Sequence, residues 1–169
     1  MDQSSAELEQ CISANCMDSA GPGHGVPEID AAQPAAWKEF EFPGVLASVP
    51  EHRERVMELV SQHCTEEGEE IDVQVAVQEA LANAALHGCN EDSAKRIYCT
   101  VACTPRDTMI TVRDPGKGFD LRRADPENYR VTRLSHGRGL VVMRSLMSEV
   151  HFARNGAEIV MRKERARGT

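Results

Sequence analysis

The chain has 169 residues, 41% of them hydrophobic, enough for one well-cored domain and short for two. Acidic residues outnumber basic ones, 27 to 19, for a formal charge of −8, which disfavours binding to a phosphate backbone and leaves nucleic acid off the expected partners. No apolar run approaches the ~18 residues of a membrane span, and MDQSSAELEQ lacks the basic-then-apolar pattern of a signal peptide, so a cytoplasmic protein with no membrane partner is expected.

Residues 1–34 are rich in Ser, Gly, Pro, Ala and acid, including SAGPGHGVPE, and read as a disordered or loosely docked tail. Cys11, Cys16 and His24 fall in this tail at a spacing that matches no metal or redox motif. The six cysteines, at 11, 16, 64, 89, 99 and 103, form no C-x-x-C pair and are read as free thiols. A compact domain is expected over 35–169. It opens with EFEFPGVLASVP, whose alternation is that of a strand, with Pro43 placing it at an edge or a bulge. Pro50 then suits the first turn of a helix in which Val56, Leu59, Val60 and His63 recur at helical spacing.

The acidic run at 66–70 breaks that helix. Beyond it, Ile71, Val73, Val75 and Val77 alternate as a strand would, but Gln78 to Leu86 is strongly helical and Gly88 is a C-terminal stop, so a second helix is predicted over 72–87. On it, Glu79, Asn83 and His87 stand at successive four-residue steps and share one face, a stripe that is either solvated or a site. RIYCTVACT and TMITVRD read as a hairpin turning at Pro105-Arg106-Asp107. The loop that follows, Asp114-Pro-Gly116-Lys-Gly118, combines a carboxylate able to accept from an exocyclic amine with glycines that let backbone approach a ligand; alone, it reads by default as a Pro-Gly turn with a solvated Asp.

Asp120 to Ser135 is polar and carries Arg122, Arg123, Arg130 and Arg133. SHGRGL then starts an amphipathic helix with Leu140, Met143, Leu146 and Met147 on one face, and free N–H groups at such a start suit phosphate. HFARN and AEIVMRK flank Asn155-Gly156 as a closing hairpin. Neither a P-loop nor a Rossmann glycine motif is present, and no serine-nucleophile elbow occurs.

EALANAALHG, VRDPGKGFD and HGRGLVVMRSLMSEV, in that order, resemble the N box and the two glycine boxes of the Bergerat-fold, histidine-kinase-like ATPases. The short chain and its ending are most similar to the anti-sigma factor serine/threonine kinases of the RsbW type, over about 37–165. The resemblance implies an α+β two-layer sandwich: a mixed, mainly antiparallel sheet covered on one face by helices. It implies ATP and Mg²⁺ as ligands, with Asn83 on the metal, Glu79 as general base, and Asp114 receiving the adenine amino group. Gly116 and Gly118 would allow close packing of base and lid; Gly137, Arg138 and Gly139 would line the phosphates, with Arg133 the candidate lid arginine. His87 is read as packing or helix-end stabilisation. The chain departs from the family at Gly156-Ala157, where relatives carry Gly-Thr with the threonine helping to hold adenine.

The implied function is phosphorylation of a small anti-sigma-factor antagonist coupled to sequestration of a sigma factor, by a homodimer. Two rivals stay open: an ATP-binding sequestration module without catalysis, and a detached catalytic domain acting on a histidine elsewhere.

Overall fold

The computed structural model describes residues 34–63, 67–118 and 138–165. Five strands make one sheet in the order β1-β2-β3-β5-β4: β1 Ala36–Pro43, β2 Arg96–Cys103, β3 Asp107–Arg113, β4 Glu149–Ala153 and β5 Glu158–Glu164. All four ladders are antiparallel, so the sheet expected to be mixed has no parallel pair among the described residues. Three helices pack on one face: α1 Val49–Ser61, α2 Glu67–Asn83 and α3 Arg138–Leu146. This is the two-layer α+β sandwich.

The strand alternation explains the single core. Phe40, Phe42, Ile97, Cys99, Val101, Ile110, Val112, Ile159 and Met161 point to the helices and join Val56, Val60, Val73, Val77, Leu81 and Met143 in one buried cluster. The intervening residues face away. There Arg162 binds Asp107, Glu149 and Glu164 at 3.0, 2.9 and 3.1 Å.

β1 is an edge strand that ends at Pro43, as the sequence predicts. Pro50 sits in the first turn of α1, whose buried face is Val49, His52, Val56, Met57 and Val60; His52, not His63, is the histidine it inserts, stacked on Phe42 with centroids 4.2 Å apart. The predicted hairpin forms over β2 and β3, with the Thr104 hydroxyl accepting from the Arg106 and Asp107 N–H groups at 3.1 and 2.9 Å to hold the turn. Cys89, Cys99 and Cys103 are buried and in no disulfide, and burial pushes the Cys99 thiol up to about 12, so it packs as an inert small hydrophobe.

The second helix departs from its predicted bounds at both ends. It begins at Glu67, five residues earlier than 72, because Gly68 costs little in a first turn and the acids there complement the positive end of the helix dipole. Its α-helical part stops at Asn83, and Ala84–Gly88 widens into a π-helical turn. Lys163 on β5 fastens this layer to the sheet: its Nζ donates to Asp72 Oδ2 on α2 at 2.6 Å and to the last-turn Leu146 carbonyl of α3 at 2.7 Å. The cysteine and histidine positions 11, 16 and 24, the tail 1–33, the arginine-bearing span Asp120 to Ser135 and Gly137 lie outside the described residues.

Candidate nucleotide and phosphoryl-transfer site

The site lies where the C-terminal half of α2 meets the loop after β3 and the start of α3. Glu79 and Asn83 are one turn apart on α2 and both partly exposed, while Ala76, Ala80 and Ala84 on the neighbouring face are buried. Alanine at those positions lets the helix lie low on the sheet. The four-residue spacing therefore sets an acid and an amide side by side at the rim, not in the core.

α3 begins against this pair. A Cβ placed on Gly139 would stand 2.5 Å from Glu79 Oε2 and 3.4 Å from the Asn83 amide nitrogen. The first turn of α3 thus lies close to both side chains, and a side chain at 139 would press on the Glu79 carboxylate. Gly139 is buried and Arg138, the first residue of the helix, is exposed beside it. The first-turn N–H groups of α3, which have no intrahelical partner, are consequently next to the carboxylate–amide pair.

The second half of the site is built on Asp114. It follows β3 directly, and its N–H donates to the Ala157 carbonyl at 3.0 Å, which ties the loop to the start of β5. Its Oδ1 accepts the Gly116 N–H at 2.8 Å, the local turn that an Asp-Pro-Gly sequence favours. Gly88, the last residue of the π-helical turn, lies against the Asp114 carboxylate so closely that any Cβ would overlap it; a Cβ on Gly116 would meet Asp114 Oδ1 at 2.7 Å and Gly88 Cα at 2.8 Å. Burial pushes the Asp114 carboxyl above its ordinary range, opposed by the Gly116 hydrogen bond and by the charge of Lys95. Gly118 has φ +74° and sits over the Asn155 carbonyl, a conformation and a contact that both exclude a side chain.

The structure therefore brings together Glu79, Asn83 and Gly139 at one end and Asp114, Gly116 and Gly118 at the other, with α2 running between. His87 is exposed in the last helical turn, on the far side of Asn83 from Glu79. Arg133 and Gly137 lie outside the described residues. Gly88, read from sequence as a helix stop, does end the helical run and is also the residue that receives Asp114, a second role its position after His87 does not reveal. Ala157, at the departure from the family's Gly-Thr, is buried and holds Asp114 through its backbone alone.

Comparison with known proteins agrees with this geometry. Residues 42–163 match the model of the histidine kinase-like ATPase domain, and the chain belongs to that family. It is also similar to curated anti-sigma F factors. That of Clostridium novyi (strain NT) is 34% identical over 101 residues, covering 55% of this chain and 69% of the relative. That of Clostridium perfringens (strain SM101 / Type A) is 32% identical over 104 residues, covering 55% and 71%, and that of Bacillus subtilis (strain 168) is 30% identical over 87 residues, covering 47% and 56%. An ATPase domain implies ATP binding. Among the described residues no helix is long and apolar enough to cross a membrane.

Proposed function

We propose that the chain is an ATP-dependent serine/threonine kinase and anti-sigma factor: it phosphorylates a small antagonist protein and, when the antagonist is already phosphorylated, sequesters a sigma factor. The observation that carries this is the close approach of Gly139 to both Glu79 and Asn83, which sets a carboxylate and a side-chain amide beside the start of α3. A nucleotide-holding module without catalysis needs the donors and the amide; it has no use for the carboxylate.

In this reading the adenine amino group donates to Asp114, whose Oδ1 is held by Gly116, and the phosphates lie across α2 toward the start of α3. Arg138 and the backbone of Gly139 line the phosphates there, and Arg133 and Gly137 are proposed to complete that lining. The Asn83 side-chain amide at this end has an oxygen suited to a hard cation, and Mg²⁺ held there would neutralise phosphate charge. Glu79 accepts the proton of the attacking serine or threonine hydroxyl as its oxygen bonds to the γ-phosphorus and the ADP oxygen leaves. Positioning and charge neutralisation supply most of the rate, so the rigid seating of α3 on α2 matters as much as the base.

The rival of a purely nucleotide-binding sequestration module is favoured by one residue, Ala157, which offers adenine no hydroxyl. Transfer of label from γ-labelled ATP to a serine-bearing antagonist, compared between wild type and Glu79→Gln, decides between them. Acid-stable label on the antagonist, lost in Glu79→Gln with ATP affinity retained, supports the kinase. ATP binding without transfer by the wild type leaves the module. The protein is further proposed to act in the cytoplasm as a homodimer, which sedimentation of the full chain with and without ATP tests.

A further inference from the structure

The outward face of α2 is apolar where a surface helix should be polar. Ile71, Val75, Ala82 and Leu86 lie within one narrow arc of the helix, opposite the arc of Val73, Val77, Ala80 and Ala84 that packs on the sheet. Ile71 is 58% exposed, Val75 37% and Leu86 36%, and Val141 on the adjoining α3 is 43% exposed. These four are the exposed large hydrophobic side chains among the described residues: Ile71 and Val75 on α2, Leu86 on the π-helical turn that continues it, and Val141 on α3. Glu79 borders the same arc, two turns along from Ile71 and one from Val75.

The helix beside this arc carries a second unexplained feature. On α1, Glu51, Glu54 and Glu58 recur at three- and four-residue spacing, all exposed, and with Glu70 of α2 they line the groove between the two helices. Like charges at that spacing cost a helix a few tenths of a kcal/mol per pair, and only Glu51, in the first turn, is favoured by the helix dipole. Of the two arginines in the groove, Arg53 is turned to Gln78 and Glu54, at 3.5 and 3.8 Å, and Arg55 lies over the Phe40 and Phe42 rings at 5.9 and 5.3 Å. The groove thus presents an acidic edge next to an apolar ridge.

We infer that the Ile71–Val75 ridge of α2 and the acidic edge of α1 form the docking surface for the protein that supplies the acceptor hydroxyl, and that this protein carries an apolar patch flanked by lysine or arginine. The inference rests on the reading of Glu79 as the base that receives that hydroxyl, and it names what holds the rest of the acceptor. Charge complementarity selects the occupant: a second copy of this acidic chain would set carboxylates against carboxylates, whereas a basic-flanked partner meets the acids and covers the ridge in one orientation. A serine held within reach of Glu79 by a side chain resting on Val75, one turn away, needs no further contact with the nucleotide. The surface then sets the KM for the acceptor and leaves ATP affinity alone.

The test uses the full chain with γ-labelled ATP and a clarified extract of the source cells; the acceptor is the protein labelled by wild type and not by Glu79→Gln, and it is then purified and titrated. The double substitution Ile71→Ala, Val75→Ala is expected to raise the acceptor KM at least tenfold with kcat within about twofold and ATP affinity unchanged, while Ile71→Val, Val75→Ile stays near wild type. Glu54→Lys, Glu58→Lys should raise KM and abolish its increase with salt. An unchanged KM in the double alanine variant, or a loss of ATP binding in it, overturns the docking surface while the kinase reading stands. If the wild type binds ATP but labels nothing beyond the Glu79→Gln background, the kinase reading fails and the docking surface with it.

Discussion

The carboxylate of Asp114 occupies the space that a side chain at Gly88 would need. The contact joins the end of the N-box helix to the loop after β3 across a gap of 26 residues of chain, and it exists because Ala84–Gly88 turns with a wider pitch than the helix before it. Gly88→Ala should displace Asp114 and strain the turn. A loss of about 1–3 kcal/mol in urea unfolding, typical of overpacking, is expected together with at least a tenfold rise in the Kd for a fluorescent ATP analogue. Unchanged affinity in a destabilised protein would separate Asp114 from nucleotide binding.

Asp114 should also give nucleotide binding an acid limb. Its folded-state pKa is raised by burial, so it takes up a proton at a higher pH than an ordinary aspartate does. An ionised carboxylate is the stronger acceptor for the adenine amine. Affinity is therefore expected to be full above that raised pKa and to fall as pH drops through it. Titration calorimetry from neutral to acid pH checks this, with Asp114→Asn weaker throughout and flatter over the same range.

Gly139 and Glu79 predict different failures. Gly139→Ala places a methyl group 2.5 Å from Glu79 Oε2 and must push the carboxylate or the first turn of α3 aside. Phosphoryl transfer should fall by two orders of magnitude or more, with ATP affinity also reduced because the first-turn N–H groups move. Glu79→Gln, nearly the same shape, should lose transfer to a similar extent and keep ATP affinity within a few-fold. Single-turnover transfer and equilibrium binding on the two variants give the comparison.

His52 makes stability depend on pH without touching the site. The ring is 4% exposed and stacked on Phe42, with neither nitrogen in a well-formed hydrogen bond, and burial lowers its pKa against the smaller raising effects of Glu51 and the Pro43 carbonyl. The unfolded chain protonates near its ordinary value of about 6.5 and the folded chain only below that. Stability from this residue is complete above that value and declines as pH falls toward the lowered folded pKa. Thermal unfolding measured between pH 7.5 and 5 should show the decline, and His52→Leu should remove its share of it.

Much of the architecture could be read from the chain because local and tertiary preferences agree. The Asn-Gly turn, the alternation of RIYCTVACT and TMITVRD, and Pro43 at an edge each have one economical arrangement, and the structure adopts it. The start of α2 was hidden because Ile71, Val73, Val75 and Val77 fit a strand's period as well as a helix that is apolar on both faces. Its stop at Gly88 was legible, but the change of pitch after Asn83 was not, because the π-helical turn serves a contact with Asp114, which no local pattern encodes. The pairing of Glu79 with Asn83 follows from spacing alone, whereas their meeting with Gly139 depends on α3 docking from the far end of the sequence. His52 and Lys163 escaped notice for a similar reason: a histidine in a polar-looking EHRER run and a lysine near a strand's end read as solvated until the packing is known.

The sheet order has a consequence for the order of events during synthesis. β5 is the latest strand in the chain, yet it lies between β3 and β4 and supplies the Ala157 carbonyl that fixes Asp114. A nascent chain exposed through Gly118 has Asp114, Gly116 and Gly118 but not the Ala157 carbonyl that positions the aspartate. Nucleotide capture should thus wait until β5 has joined the sheet, so that a product truncated before Ala157, whatever helices it has made, cannot compete for ATP with a chain that contains β5.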